Sequence, residues 1–260
     1  MAEFYKTISG LEDANDAVEI IWLHGWGQDN SSFKALTSLL ERRARHISYD
    51  LPGFGQTPML DKGAGSAEYA AALATQISPL GHSRRIIIGH SFGCRVAVQL
   101  AANHPGIADC YILIAAAGLQ QKRSLVWKIR AGYMRALGKL ASLFDRLFGT
   151  KFRPAYARRF GSADYKNAGD LRETFVNVVN EDLSAQARQV KEPVMLVFGS
   201  EDRETPVALG ESYRALMPDA TLKVLDGYGH LDILGRGAHQ VQNIILSVIK
   251  TLDSTSDKGQ

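Results

Sequence analysis

The chain has 260 residues, of which 45% are hydrophobic and 22% charged, and its formal net charge is +3. That is an ordinary globular composition, long enough to bury a sizeable core as one α/β domain. The charge is too small to argue for a nucleic-acid partner. Met1-Ala2-Glu3-Phe4 lacks the basic and then apolar stretch of a signal peptide. No apolar run reaches the roughly 20 residues of a membrane span. The expected location is cytoplasmic, with a polar, frayed tail from Asp253 to Gln260. The two cysteines, Cys94 and Cys110, sit in or beside apolar runs and read as small buried hydrophobes, with no disulfide framework or metal site.

In chain order, short apolar runs predict buried strands at Glu19–Leu23, His46–Tyr49, Arg85–Ile88, Cys110–Ala115, Val194–Phe198 and Leu222–Leu225. Most lack two-residue alternation, as expected of a parallel sheet covered on both faces. Helical patterns fall between them at Ser31–Arg43, Ala67–Ile77, Phe92–Asn103, Pro206–Leu216 and Gln240–Thr251. The second of these is alanine-rich, the third apolar on several sides, and the fourth carries proline in its first turn. Alternating strands and helices imply βαβ units. From Leu119 to Asp182 the pattern is helical with no strand, which reads as an insertion. The expected division is a core of residues 1–118 and 186–260 with a helical cap over 119–185.

The chemistry-bearing segments sit at strand ends. Gly89-His90-Ser91-Phe92-Gly93 lies between Ile86-Ile87-Ile88 and a helical pattern, giving strand, sharp turn and helix. Small residues on both sides of Ser91 let strand and helix approach closely, and the helix N-terminus favours developing negative charge. Ser91 is the predicted nucleophile. His24-Gly25-Trp26-Gly27 follows Ile20–Leu23, and its glycines suit a loop whose N–H groups face a ligand. An acyl-transfer intermediate needs two such donors on its oxygen, expected here from Trp26 and Phe92. His24, Gly25 and His90 are candidate substrate contacts, although His24 also reads as a loop-holding residue.

A serine hydroxyl needs a histidine base and an orienting carboxylate. Gly199-Ser200-Glu201-Asp202-Arg203-Glu204-Thr205-Pro206 follows a strand, where such sheets build sites. Asp202 is the preferred acid, with Glu201 and Glu204 as competitors. Asp226-Gly227-Tyr228-Gly229-His230 can deliver His230 across the sheet. His46, His82, His104 and His239 lie in positions that read as structural or surface. Asp232 is too near His230 in sequence to orient its ring easily.

Together, His24–Gly27, Gly89–Gly93, Gly199–Pro206 and Gly229–His230 resemble the α/β-hydrolase superfamily, as does the Asp50-Leu51-Pro52-Gly53-Phe54-Gly55 turn. The resemblance covers nearly the whole chain. It implies an α/β-hydrolase fold with an eight-stranded, mostly parallel sheet, helices on both faces and the insertion as a lid. It also implies a Ser91–His230–Asp202 triad, with Asp50 structural. Cys94 departs from the family pattern, which often has a smaller residue there. The implied activity is hydrolysis of a small carboxylic ester or thioester through an acyl-enzyme, with no metal or organic cofactor. The same triad also serves carbon–carbon bond hydrolysis, acyl transfer, peracid formation or a slow ligand receptor. Dehalogenase relatives place aspartate where Ser91 stands.

The cap has a distinctive charge. Between Gln121 and Arg159 there are eleven Lys or Arg and one acid, Asp145, so this stretch is near +10 and the remainder near −7. Val126, Ile129, Tyr133, Leu137, Leu140, Phe144 and Leu147 recur at spacings of three and four, predicting one apolar helical face. The basic side then faces water or docks an anionic partner: an acyl carrier, a carboxylate-bearing substrate or a membrane surface. The basic lid and the His-Gly-Trp-Gly segment resemble carboxylesterases that demethylate a pimeloyl carrier conjugate. Arg159–Tyr165 is a further motif-like stretch with no evident mechanism.

Overall fold

A computed structural model describes residues 3–11, 18–77, 84–120, 142, 145–148 and 163–256. Seven strands form one sheet: β1 (Lys6–Gly10), β2 (Val18–Leu23), β3 (Ala44–Tyr49), β4 (Arg85–His90), β5 (Cys110–Ile114), β6 (Val194–Gly199) and β7 (Ala220–Leu225), in the order β1-β3-β2-β4-β5-β6-β7. Only the β1–β3 pair is antiparallel. Among the described residues there is no eighth strand. The principal helices are α1 (Lys34–Leu39), α2 (Ser66–Ala74), α3 (Phe92–Asn103), α4 (Ala163–Asn167), α5 (Arg172–Asn180), α6 (Ser184–Ala187), α7 (Val207–Leu216) and α8 (Ala238–Ser256).

The six strands expected from apolar runs are all present. Neighbouring residues of each run serve opposite faces. Ile21, Leu23, Ile87, Leu113 and Phe198 pack into one core with residues of α2, α3 and α7. Ile20, Trp22, Ile86, Ile88 and Ile112 pack into the other, with Leu36 of α1 and Val241 and Ile245 of α8. That two-sided burial is why Ile86-Ile87-Ile88 shows no alternation. β1 has no such run because it is an edge strand with water on both sides; Ile8 is 54% exposed.

β2 is flanked by β3 on one side and β4 on the other, so the chain reverses its direction of travel across the sheet there. The loops leaving the carboxyl ends of β2 and β4 therefore diverge and open a crevice. The segment leaving β5 returns to its starting point: the Leu183 N–H donates to the Gly118 carbonyl at 2.9 Å. Tyr213 of α7 donates to the Ala117 carbonyl, and Glu181 reaches both the Ser66 N–H and Arg95 of α3. Most of the basic stretch and of the apolar stripe, from Val126 to Phe144, lies outside the described residues. Leu147 is described and is 64% exposed. Among the described residues no helix is long and apolar enough to cross a membrane. Both cysteines are buried free thiols whose pKa burial pushes up, that of Cys110 to about 12.

Three buried histidines, His24, His46 and His90, are held below their ordinary pKa of 6.5, chiefly by burial, which disfavours the charged ring. Below pH 6.5 the unfolded chain binds protons that the folded chain refuses. Their contribution to stability is therefore full above about pH 6.5 and is lost as pH falls toward the folded values. Unfolding midpoints in urea are expected to drop steadily as pH is lowered from 7 to 4. A midpoint that stays flat over that range contradicts the neutral burial of these rings.

Candidate active site

β4 ends at His90 and α3 begins at Phe92, leaving Ser91 alone to reverse the chain. Its backbone lies at φ 49° and ψ −106°, a sparsely populated conformation for a residue with a side chain. Such strain costs about 1–3 kcal/mol and persists only where surroundings impose it. Here the Ser91 N–H donates to the Ile114 carbonyl of β5 at 3.0 Å, and α3 is pressed onto the sheet. A Cβ on Gly93 would overlap the Leu23 carbonyl oxygen, and one on Gly89 would lie 2.7 Å from the Cys94 nitrogen. The two glycines flanking Ser91 are thus fixed by main chain on both sides.

His230, from the loop after β7, places Nε2 2.9 Å from Ser91 Oγ. Its Nδ1 lies 2.7 Å from Asp202 Oδ2, in the loop after β6. The Asp202 carboxylate also accepts from the Glu204 and Thr205 N–H groups at 2.8 Å each and from the Thr205 hydroxyl at 2.7 Å. Burial alone would raise the Asp202 pKa; the hydrogen bonds from His230 and Thr205 outweigh it and hold the carboxyl below its usual value. An ionised Asp202 fixes the His230 tautomer with Nδ1 protonated, leaving Nε2 to accept from Ser91. The two loops are stitched together by Ser200, which donates to Asp226 and accepts from the Gly227 N–H.

Of the competing acids, Glu201 contributes its main-chain N–H to the Tyr228 carbonyl. Glu204 lies on the other side of the His230 ring, with Oε2 3.6 Å from His230 Nε2 and a side chain 68% exposed. Asp232 accepts from the Gly229 N–H and pairs with Arg236 rather than with His230.

The loop after β2 carries Gly25 and Trp26. The Trp26 ring packs edge-on against Phe54, Phe92 and Phe175, with centroids 5.0–5.4 Å apart. Among the described residues, the main-chain N–H groups of Trp26 and Phe92 have no protein acceptor. Two such free donors beside Ser91 are what a developing oxyanion requires.

Of the two roles expected for His24, the structure's contacts are those of a loop-holding residue. His24 is fully buried and does not line the cavity. Its Nδ1–H donates to the Gly25 carbonyl at 2.8 Å and its Nε2 accepts from the Leu51 N–H at 2.9 Å, so both ring nitrogens are spent on main chain. Asp50 is likewise a scaffold, accepting from Asn30 and from the Gln56 N–H. Gly25, His90, Ser91 and His230 do face a cavity of about 770 Å³, a size suited to a small organic ligand. Its walls also include Trp26, Gln28, Phe54, Met59 and Leu231, with Asp164, Asn167, Asp170 and Leu171 from the chain between β5 and β6. Thr205 and Gln28 went unnoticed in the sequence. A threonine three residues after a carboxylate could have suggested the first; the second shows no local signal.

Residues 20–241 match the alpha/beta hydrolase family. The chain belongs to that family. This α/β hydrolase is 24% identical to a Mycobacterium tuberculosis protein, Rv2715, covering 87% of this chain and 75% of the relative. It is also 24% identical to RutD of Escherichia coli, named a carbamate hydrolase, covering 83% of this chain and 85% of that one. Its fold is similar to that of an esterase from Exiguobacterium antarcticum, with a TM-score of 0.70 at 17% identity over 96% of this chain and 100% of that one. A thermophilic esterase from Thermogutta terrifontis gives 0.68 at 17% identity over 95% and 93%.

The packing of this α/β hydrolase at the elbow is directly testable. Gly93→Ala forces a methyl group against the Leu23 main chain, which cannot swing aside. The expected loss is roughly 3 kcal/mol, the upper end of overpacking costs. Urea unfolding measures it, and an unchanged midpoint would refute so close an approach.

Proposed function

We propose that this α/β hydrolase cleaves a carboxylic ester or thioester through an acyl-enzyme on Ser91. The observation that carries this reading is the continuous Ser91–His230–Asp202 relay, at 2.9 and 2.7 Å, opening on a cavity of about 770 Å³. In the first half-reaction His230 Nε2 takes the Ser91 proton as Oγ attacks the substrate carbonyl. The oxygen becomes an anion held by the Trp26 and Phe92 N–H groups. His230 passes the proton to the departing alkoxide or thiolate, and the acyl group stays on Oγ. Water then gives a proton to His230 and attacks the acyl carbon. Collapse returns the proton to Oγ and releases the carboxylic acid. Asp202 steadies the positive charge on His230 throughout. A carbamate, the substrate class in the name of RutD, presents a carbonyl open to the same attack. We assign residues 119–185 to a cap over this cavity; its described part already contributes Asp164, Asp170 and Leu171 to the wall.

Short-chain chromogenic esters are expected to be hydrolysed by the wild type, with the enzyme labelled by a fluorophosphonate. Ser91→Ala should remove both, and His230→Ala should lower turnover by at least about a thousandfold. A wild type that neither hydrolyses esters or thioesters nor takes the label sinks the proposal.

The charged side chains among the described cavity residues are Asp164, Asp170 and Glu204, with no lysine or arginine. A cleft so lined favours a neutral or cationic substrate over a carboxylate-bearing one. Choline acetate and 3,3-dimethylbutyl acetate differ in charge but hardly in shape. At low salt kcat/KM should favour the cation by roughly three- to fivefold, the scale of exposed ion pairs, and Glu204→Gln should narrow the gap. Equal values for the two esters in the wild type would count against charge selection.

A further inference from the structure

His90 is a buried titratable group that the proposed chemistry does not use. It is the last residue of β4, one position before Ser91, and is 1% exposed. Its Nε2 lies 3.0 Å from the main-chain carbonyl oxygen of His230. Its ring lies against the His230 ring, with centroids 4.9 Å apart and planes tilted by 43°. Among the described residues this is the sole hydrogen bond to the main chain of His230. The loop that carries the base is tied at Tyr228 by the Glu201 N–H and at Gly229 by Asp232, but at His230 itself its main chain is bonded only through His90. Glycine precedes His230 at 227 and 229, and Gly227 has φ +75°. The remaining polar contacts of His230 are made by its side chain, among them those to Asp202 and to Ser91.

The other edge of the same ring faces the loop after β2. Nδ1 is 3.3 Å from Gln28 Oε1, the atom that accepts the Gly25 N–H at 2.9 Å. A Cβ on Gly25 would lie 2.9 Å from His90 Nδ1 and 2.7 Å from Gln28 Oε1. The ring is therefore wedged between the loop of the base and the loop of an expected oxyanion donor.

We infer that His90 is a positioning residue for the base, its Nε2–H holding the His230 carbonyl so that the imidazole reaches Ser91. The inference rests on the proposed Ser91–His230 chemistry. It goes beyond the sequence expectation of a substrate contact: His90 lines the cavity with little of its surface, and its polar edges face protein. Burial, and then the neighbouring His230, push the His90 pKa down to about 3, so the ring is neutral and carries one proton. Both ring nitrogens face an oxygen, and we place the proton on Nε2, whose acceptor is the nearer at 3.0 Å against 3.3 Å for Gln28 Oε1 at Nδ1. A neutral donor holds the loop without placing a positive charge beside the imidazolium that forms on His230 during turnover. A lysine or arginine could make the same bond only by opposing that charge.

Three substitutions test this on the full chain, each followed by ester hydrolysis and by the rate of fluorophosphonate labelling. His90→Phe keeps a ring and loses the donor. It is expected to lower kcat and the labelling rate by about ten- to a hundredfold, with KM within about twofold, since small misplacements of reacting groups carry penalties of that order. His90→Gln offers an amide N–H of similar reach and should recover to within about fivefold of wild type. His90→Asn, too short to reach the carbonyl, should stay as low as His90→Phe; if the latter does not fold, the Gln and Asn variants decide the matter. A raised KM with kcat intact would mean a substrate contact and overturn the inference. So would full activity in His90→Phe, or a Gln variant no better than the Asn variant. Failure of the wild type itself to turn over esters or take the label would instead strike the proposed function, which keeps the two outcomes apart.

Discussion

The close passage of α3 across the ends of β2 and β4 is the constraint on which the site depends. Gly93 meets the carbonyls of Leu23 and His24 with no room for a side chain. Because the helix cannot retreat, the turn before it must be made in a single residue, and that residue takes the unfavourable φ of Ser91. The hydroxyl is thereby lifted off the sheet toward the crevice where β2 and β4 diverge. The same contact brings the first N–H groups of α3 next to the loop after β2. The placing of the Ser91 hydroxyl and of the two candidate oxyanion donors thus follows from one packing contact.

The partners of Ser91 are held by a different kind of force. Asp202 is almost completely buried, which by itself disfavours its charge; four donors from His230, Glu204 and Thr205 make the ionised form the stable one. Three of those donors lie within three residues of Asp202 in sequence, and the fourth is His230. The base is the reverse case. His230 stands in a glycine-containing loop and takes its place from long-range contacts: Asp202, Ser91 and the ring of His90.

That contrast explains what could be read from the chain. Strands buried on both faces announce themselves as apolar runs, and Ser91 is conspicuous because its glycines are a local steric demand. Asp202 and His230 follow from strand ends and chain order. β1 was silent because an edge strand exposed to water has no apolar signature. His24 was ambiguous for a similar reason. A histidine at a strand end looks alike whether it meets a ligand or the main chain, and only the Leu51 N–H, 27 residues away, distinguishes them. The bond from His90 to the His230 carbonyl spans 140 residues and leaves no trace in spacing.

The hydrogen bond between Leu183 and Gly118 makes a neck in the stretch that joins β5 to β6. Chain leaves the sheet and comes back through one narrow doorway, on the far side of which lie all of β1–β5 and β6–β7. The described residues inside it are bound to the sheet side as well: Glu181 reaches Ser66 and Arg95, and Asn177 donates to the Gly63 carbonyl, so a change at the neck is felt at α2 and α3.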